Sequence, residues 1–265
     1  MKTTEHHRTN PESLFSRNPK NVREAYLKTR PGKAKSLWTF LKPYISFHER
    51  SMVYSPGCSY AVYESEFQKL VNCQVIASDI DLAAIRSFQQ TNILKVAADA
   101  VNPPFKGGAF DVILLPQVLE HVHDYKHCMK SLDLLLKPGG YMYIHVPNPW
   151  SIIYPPLLGQ SWFKFSTRNW LEGLTYLARF YLYKLRKDYL KNRVRYHAGF
   201  TKVELLELLP RYDVKFLFWE RVLSQYDNWL IRLIILVAKK QPRFVQNLLE
   251  METYLIAQKP MYLKP

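Results

Sequence analysis

Cysteine is scarce: only Cys58, Cys73 and Cys128 occur in 265 residues. No two of them have zinc-ligand spacing, and three cannot build a disulfide framework. A reducing, cytoplasmic compartment is the expectation from that count. Long apolar runs are lacking too. Leu233–Ala238, preceded by Arg232, falls far short of the roughly 20 residues that span a bilayer. The opening stretch, Met1–Asn21, is polar and has no apolar segment behind a basic start, so a secretory signal is not expected. These absences predict a soluble protein, or one bound peripherally at a membrane. Acidic residues are also few, 22 against 37 lysines and arginines, for a net charge of +15.

The positive excess is unevenly placed. Residues 1–50 hold 11 basic and 4 acidic residues, and residues 161–202 hold 10 and 2. The remainder holds 16 of each, so a neutral core carries two basic appendages. Basic segments attract phosphates, lipid headgroups or nucleic acid; the plainer reading is a solubilising surface. Apolar residues make up 48%, enough to bury a full core, which argues against a disordered chain. The length suits one large domain or one domain with an insertion.

Residues 1–20 read as disordered, and Val22–Leu41 as one or two helices broken around Arg30-Pro31-Gly32. From Met52 onward, short apolar runs alternate with amphipathic stretches. Strands are predicted at Met52–Ser55, Gln74–Ser78, Ile93–Ala97, Phe110–Leu115 and Tyr141–Val146. Helices are predicted at Ala61–Val71, Leu82–Gln90 and Tyr125–Leu136, the last stopped by Lys137-Pro138-Gly139-Gly140. The alternation implies a Rossmann-like, mostly parallel α/β sheet with helices on both faces. After His197 the pattern resumes. A helix is expected over Thr201–Leu209, with Thr201 and Glu204 as a capping box, and strands over Val214–Trp219 and Thr253–Gln258. Trp229–Val237 adds an apolar, partly helical stretch. The organisation read from this is a basic arm (1–50), a first half-domain (51–150), a basic aromatic helical insertion (151–196) and a second half completing the sheet (197–265).

The most informative stretch is Asp99–Asn148. It contains Asp99-Ala-Val-Asn-Pro-Pro-Phe105, Gly108-Ala-Phe-Asp111-Val-Ile-Leu-Leu115 and Val118-Leu-Glu120-His121-Val122. Leu136-Lys-Pro-Gly-Gly140 and His145-Val-Pro-Asn148 follow. In order and spacing these segments closely resemble the class I S-adenosylmethionine-dependent methyltransferases, in particular the Leu-Glu-His-containing small-molecule type (methyltransferase types 11 and 12). The resemblance is good over about residues 50–150 and loose over 197–260. It implies a seven-stranded sheet and S-adenosylmethionine as cofactor.

In an open parallel sheet, ligands sit beyond the carboxyl ends of the central strands. The loop after the first strand must let backbone approach the ligand, which favours small residues. That loop is Ser55-Pro56-Gly57-Cys58-Ser59-Tyr60-Ala61. The resemblance places an acidic residue near Ser55, to help hold the cofactor's ammonium group, and glycines near Gly57, Ser59 and Ala61. Of these, only Gly57 stands as glycine. At the end of the second strand, Asp79 is the expected acceptor for both ribose hydroxyls, with Asp81 as a competitor or a helix cap. The resemblance implies that Ile80 packs on the adenine and that Asp99 and the Ala100 backbone meet its amino edge. It sets Leu115, Pro116 and Gln117 along the methionine part and the methyl group.

His121 is the candidate general base, because an imidazole titrates near neutrality. The alternative is that Glu120-His121 only orders its loop. A dedicated base is not obligatory, since methyl transfer needs chiefly alignment. His121, His123 and His127 lack a completing ligand, so no metal is expected. Cys58 has no triad partner pattern and reads as packing. In this fold the segment after the fifth strand covers the acceptor, which makes Tyr196 and His197 candidates for acceptor contact. The aromatic and basic residues of 151–196 fit a simple lid, a membrane surface with a lipid-linked acceptor, or, ranked last, nucleic acid. The leading expectation is methyl transfer to oxygen of a small-molecule or lipid-like acceptor. The rivals are a degenerate methyltransferase-like protein that binds an anionic membrane or a partner, and an RNA methyltransferase. The sequence leaves the oligomeric state open.

Overall fold

Phe110–Pro116 (β4) is apolar at nearly every position, and a strand of that kind is stable only when both faces are covered. It lies at the centre of the sheet. The computed structural model describes residues 31–87, 93–149, 199–225, 229–250 and 252–261. The expectations for residues 1–30, for the insertion 151–196, for Tyr196 and His197, and for the end of the Leu82–Gln90 helix lie outside them.

The strands are β1 (Met52–Pro56), β2 (Gln74–Asp79), β3 (Leu94–Ala97), β4, β5 (Leu136–Pro147), β6 (Asp213–Phe216) and β7 (Glu252–Gln258). They form one seven-stranded sheet in the order β3-β2-β1-β4-β5-β7-β6. The pairs among β1 to β5 are parallel, and β7 runs antiparallel to both β5 and β6. This is the Rossmann-like sheet expected from the alternation. The reversal of β7 matters for function. It brings the start of that strand, Glu252, opposite Pro147 at the end of β5.

The helices are α1 (residues 31–41), α2 (Val62–Val71), α3 (Leu82–Ser87), α4 (Tyr125–Leu135), α5 (Lys202–Leu208), α6 (Phe218–Gln225), α7 (Trp229–Lys239) and α8 (Arg243–Leu249). Alternate strand residues feed two cores. Val112 and Leu114 join Leu37 and Leu41 of α1, Phe67 of α2 and Trp219 of α6 on one face. Ile113 and Leu115 join Met129 and Leu132 of α4 and Leu205 of α5 on the other. That period of two, with a helix layer on each side, makes three layers.

Helix α4 ends where Lys137-Pro-Gly-Gly predicts, and Leu136 is already extended. The strand also begins there, earlier than Tyr141: Leu136 pairs with Phe110, and Tyr141 with Val112. The residues between form an irregularity anchored by Gly139 N–H to Lys259 O and Lys259 N–H to Gly140 O. A Cβ on Gly140 would lie 2.9 Å from Asp111 O, so the backbones there are in direct contact.

A second boundary differs from expectation. The aromatic run Val214–Trp219 predicts a strand, yet β6 ends at Phe216 and Phe218 opens α6. Leu217 N–H closes the sheet ladder on Tyr254 O, and Arg221 N–H returns to Leu217 O to start the helix. Phe218 and Trp219 are then buried against the α1 side of the sheet. Tertiary burial overrides their preference for strands.

Candidate active site

Adjacent strands β1 and β4 run parallel while their crossovers leave in opposite directions, which makes a topological switch point beyond their carboxyl ends. A cavity of about 340 Å³ opens there. Gly57, Cys58 and Ser59 form one wall, and Pro116, Gln117 and His121 another. Thus Gly57, Ser59, Pro116, Gln117 and His121, all expected at the site, do come together.

The β1 loop is held in a left-handed conformation at three alternate positions. Gly57, Ser59 and Ala61 have φ of 70°, 51° and 55°. These are the positions where the family pattern sets glycines, and the backbone geometry gives the reason. Gly57 is constrained twice, because a Cβ there would sit 2.9 Å from both Val118 methyls. β2 fastens the loop: Cys58 N–H donates to Ser78 O at 3.0 Å, and Ser59 N–H donates to Asp79 Oδ2 at 2.6 Å.

Asp79 also receives Asp81 N–H on Oδ1 at 2.9 Å. Asp81 itself caps α3, accepting from Ala83 and Ala84 N–H. Asp81 thus serves the helix, and Asp79 fastens the β1 loop. Ile80 beside it is 76% exposed, an apolar side chain open to a ligand. Asp99 is exposed beyond β3 and accepts Val101 N–H on Oδ1. Ala100 follows, its carbonyl taking the Cys128 thiol. Leu115 lies in the core of the opposite face, and its side chain is turned from the cavity. Ser55 is fully buried and donates from Oγ to Glu64 Oε1 at 2.9 Å. The Cys58 thiol is pushed up by burial, with the Glu64 and Asp79 charges adding to it, which agrees with a packing role.

The far wall carries residues that sequence reasoning missed. His145 Nε2 lies 3.1 Å from Glu252 Oε2. Gln117 Nε2 donates to Glu252 Oε1 at 3.0 Å, and Tyr254 donates its hydroxyl to Oε2. The His145 ring stacks on Tyr254 with centroids 4.3 Å apart. Burial raises the Glu252 carboxyl, but His145 and the hydrogen bonds more than offset it and hold the group at about 2. Arg221, nearly buried, joins the same wall and donates to Ser36 of α1. Lys33 reaches the cavity from α1. Only His145 stood within a recognised segment; the others come from α1, α6 and β7, far along the chain, with no spacing signal.

His121 ends a short 3₁₀ turn, Leu119–His121, and its Nε2 lies 3.9 Å from Glu120 Oε1. Glu120 is buried, and burial pushes its carboxyl up to about 8, with Glu252 contributing. His123 and His127 are exposed. Among the described residues, no group of three or more His, Cys, Asp or Glu side chains is close enough to hold a metal.

Known proteins bear on this geometry. The family described as a methyltransferase domain matches residues 55–144. A demethylmenaquinone methyltransferase of Corynebacterium glutamicum is 26% identical over 65 residues, 24% of this chain and 28% of that protein. A ubiquinone biosynthesis O-methyltransferase of Marinobacter nauticus is 34% identical over 61 residues, 23% of this chain and 24% of that protein. The chain thus spans about a quarter of the length of the curated relatives it matches. A solved S-adenosylmethionine-dependent methyltransferase from Archaeoglobus fulgidus superposes with a TM-score of 0.57 at 18% identity, covering 91% of this chain and 100% of that one. The plantazolicin methyltransferase BpumL, solved in complex with a triazolic desmethylPZN analog and S-adenosylhomocysteine, gives 0.56 at 18%, covering 94% of each. Over residues 55–144 the chain is similar to the methyltransferase domain family, and its seven-stranded sheet has the fold of these solved methyltransferases.

Proposed function

We propose that this chain transfers a methyl group from S-adenosylmethionine to a small-molecule or lipid-like acceptor, with oxygen as the receiving atom. The observation that carries this reading is the cavity at the β1–β4 switch point, walled by the left-handed loop and by His121. The residues present fit the cofactor. Asp79 keeps acceptor capacity for a diol beyond its two backbone bonds, because a carboxylate has about four lone-pair sites. Exposed Ile80 offers an apolar surface for a base, and Asp99 with the Ala100 backbone offers acceptors and a donor to its edge. Pro116 and Gln117 then flank the methionine part, with the Leu115 backbone below.

When bound, the cofactor supplies an electrophilic methyl group on a sulfonium sulfur. The protein must align the acceptor and hold its proton. His121 takes the acceptor hydroxyl's proton on its imidazole. His145, fixed by Glu252 and stacked on Tyr254, shapes the opposite side and orients the acceptor. Calorimetry tests the reading: the wild type binds S-adenosylmethionine and S-adenosylhomocysteine, and Asp79→Ala weakens both at least tenfold. A wild type that binds neither sinks it.

A lipid-like acceptor is favoured by one surface. Trp229, Leu233, Leu236 and Val237 of α7 and Phe244 of α8 are all about half exposed or more. Arg232, Lys239, Lys240 and Arg243 are exposed beside them. Apolar and basic residues together suit an anionic membrane surface. The names of the quinone-pathway relatives support the same reading, that of a cytoplasmic enzyme peripheral to the membrane. Flotation with anionic vesicles is expected to carry the protein, and with neutral vesicles to carry less. Equal, negligible flotation counts against the membrane reading.

A further inference from the structure

Strands β5 and β7 run antiparallel, with His145 opposite Tyr254 and Pro147 opposite Glu252. Side chains alternate along a strand, so His145, Tyr254 and Glu252 rise from one face of the sheet. His145 meets Tyr254 ring on ring, and it meets Glu252 on the diagonal. All three line the cavity, together with Gln117, which follows β4.

Among the described residues, the groups on the Glu252 carboxylate are donors. Gln117 Nε2 donates to Oε1 at 3.0 Å, and the Tyr254 hydroxyl donates to Oε2. Burial raises the Glu252 carboxyl, but His145 and the hydrogen bonds hold it at about 2, so it is an anion that only accepts. His145 Nε2 is buried and lies 3.1 Å from Oε2, an ion-pair contact too oblique for a directed hydrogen bond. A lone pair on Nε2 would face that negative charge, whereas a proton there is attracted by it. A ring turned over would set carbon against the carboxylate and leave the pair unmade. In the neutral imidazole, Nε2 therefore carries the proton and Nδ1 the lone pair.

Gln117 supplies a second observation. Its φ is 57°, left-handed for a residue with a Cβ, and its N–H donates to His145 O at 2.7 Å. Such backbone persists only where its surroundings hold it, and it gathers at ligand sites. One carboxylate thus ties down both His145 and Gln117 at the cavity.

We propose that Glu252 is a positioning residue: it sets His145 as the Nε2–H tautomer, and Nδ1 then accepts a hydrogen bond from the methyl acceptor. The assignment rests on the reading of this cavity as a methyltransferase site. It narrows the acceptor to molecules that carry a hydroxyl or N–H donor. A cluster that only ties β4, β5 and β7 together makes no demand on what meets Nδ1, so the two roles are separable.

Nitrogen-15 NMR of the full chain, labelled at histidine and with S-adenosylhomocysteine bound, reads the tautomer at a pH where the imidazoles are neutral. The chain has eight histidines, and the His145 signals are those missing from His145→Gln. The wild type is expected to show a protonated Nε2 and an unprotonated Nδ1. In Glu252→Gln the amide oxygen stays with Gln117 and its NH2 meets Nε2, so the proton is expected to shift to Nδ1. Phenol, a hydroxyl donor, is expected to move the wild-type Nδ1 signal upfield. Anisole, its methyl ether, is expected to leave that signal in place. A wild-type Nδ1–H tautomer overturns the assignment, whether or not the variant folds, and so does an unchanged tautomer in a folded Glu252→Gln. Phenol and anisole acting alike, or neither acting, overturns the acceptor contact and leaves Glu252 a structural tie. A wild type that binds S-adenosylhomocysteine and fails these arms keeps the cofactor reading and loses this assignment alone. One that does not bind it overturns both.

Discussion

Ala61 shows what a residue type conceals. Its smallness was legible in the sequence; its left-handed backbone, φ 55°, was not. A side chain at such a φ costs about 1–2 kcal/mol that glycine avoids. Glycine's extra freedom in the unfolded chain returns part of this. Ala61→Gly is therefore expected to stabilise the protein by up to about 1 kcal/mol, seen as a higher denaturant midpoint. Gly57→Ala works in the opposite direction. It meets the left-handed cost and the Val118 methyls at 2.9 Å, so stability and cofactor affinity both fall. Glu64 was illegible for another reason. Nothing in a list of residues says that position 64 turns back on position 55; the strand, the loop and the first turn of α2 do that.

At the scale of the element, local signals were strong wherever a short segment satisfies itself. Thr201 and Glu204 form the reciprocal capping box that their spacing predicts. Thr201→Ala is expected to cost about 1 kcal/mol in chemical denaturation. Just before it, Gly199 has φ 69°, and an added Cβ would lie 1.7 Å from Pro147 O. Gly199→Ala is expected to cost more than the cap, because the backbone of β5 must move; a lower melting temperature checks it. The β6–α6 boundary was illegible because aromatic residues suit both a strand and a buried helix face. The contacts of Phe218 and Trp219 across the sheet decided it.

Stability against pH belongs to the whole molecule. Glu120 has its carboxyl raised to about 8 in the fold, from an ordinary value of 4.5. The native state therefore holds an extra proton between those values. Its contribution is full below about 4.5 and is lost as pH rises through about 8. Glu252 is lowered to about 2, so its contribution is present above about 4.5 and is lost as pH falls toward 2. Glu250, raised by burial despite its 2.7 Å ion pair with Lys202, adds to the alkaline limb. Glu120→Gln is expected to flatten the decline between pH 5 and 8, measured as denaturant midpoints across that range. An unchanged slope would show that Glu120 is ionised in the fold.

By itself, the sequence determined the strand–helix alternation, the family segments over 99–148, Asp79 at the end of β2 and the small-residue loop. Each of these is a local pattern, set by periodicity, turn chemistry or contiguous motif. Only the tertiary structure decided the second wall of the cavity. Its reversal of β7 carries Glu252 and Tyr254 to His145, and its packing of α1 and α6 brings Lys33 and Arg221 beside them. Contacts between residues more than a hundred positions apart depend on how layers stack. No spacing along the chain encodes that.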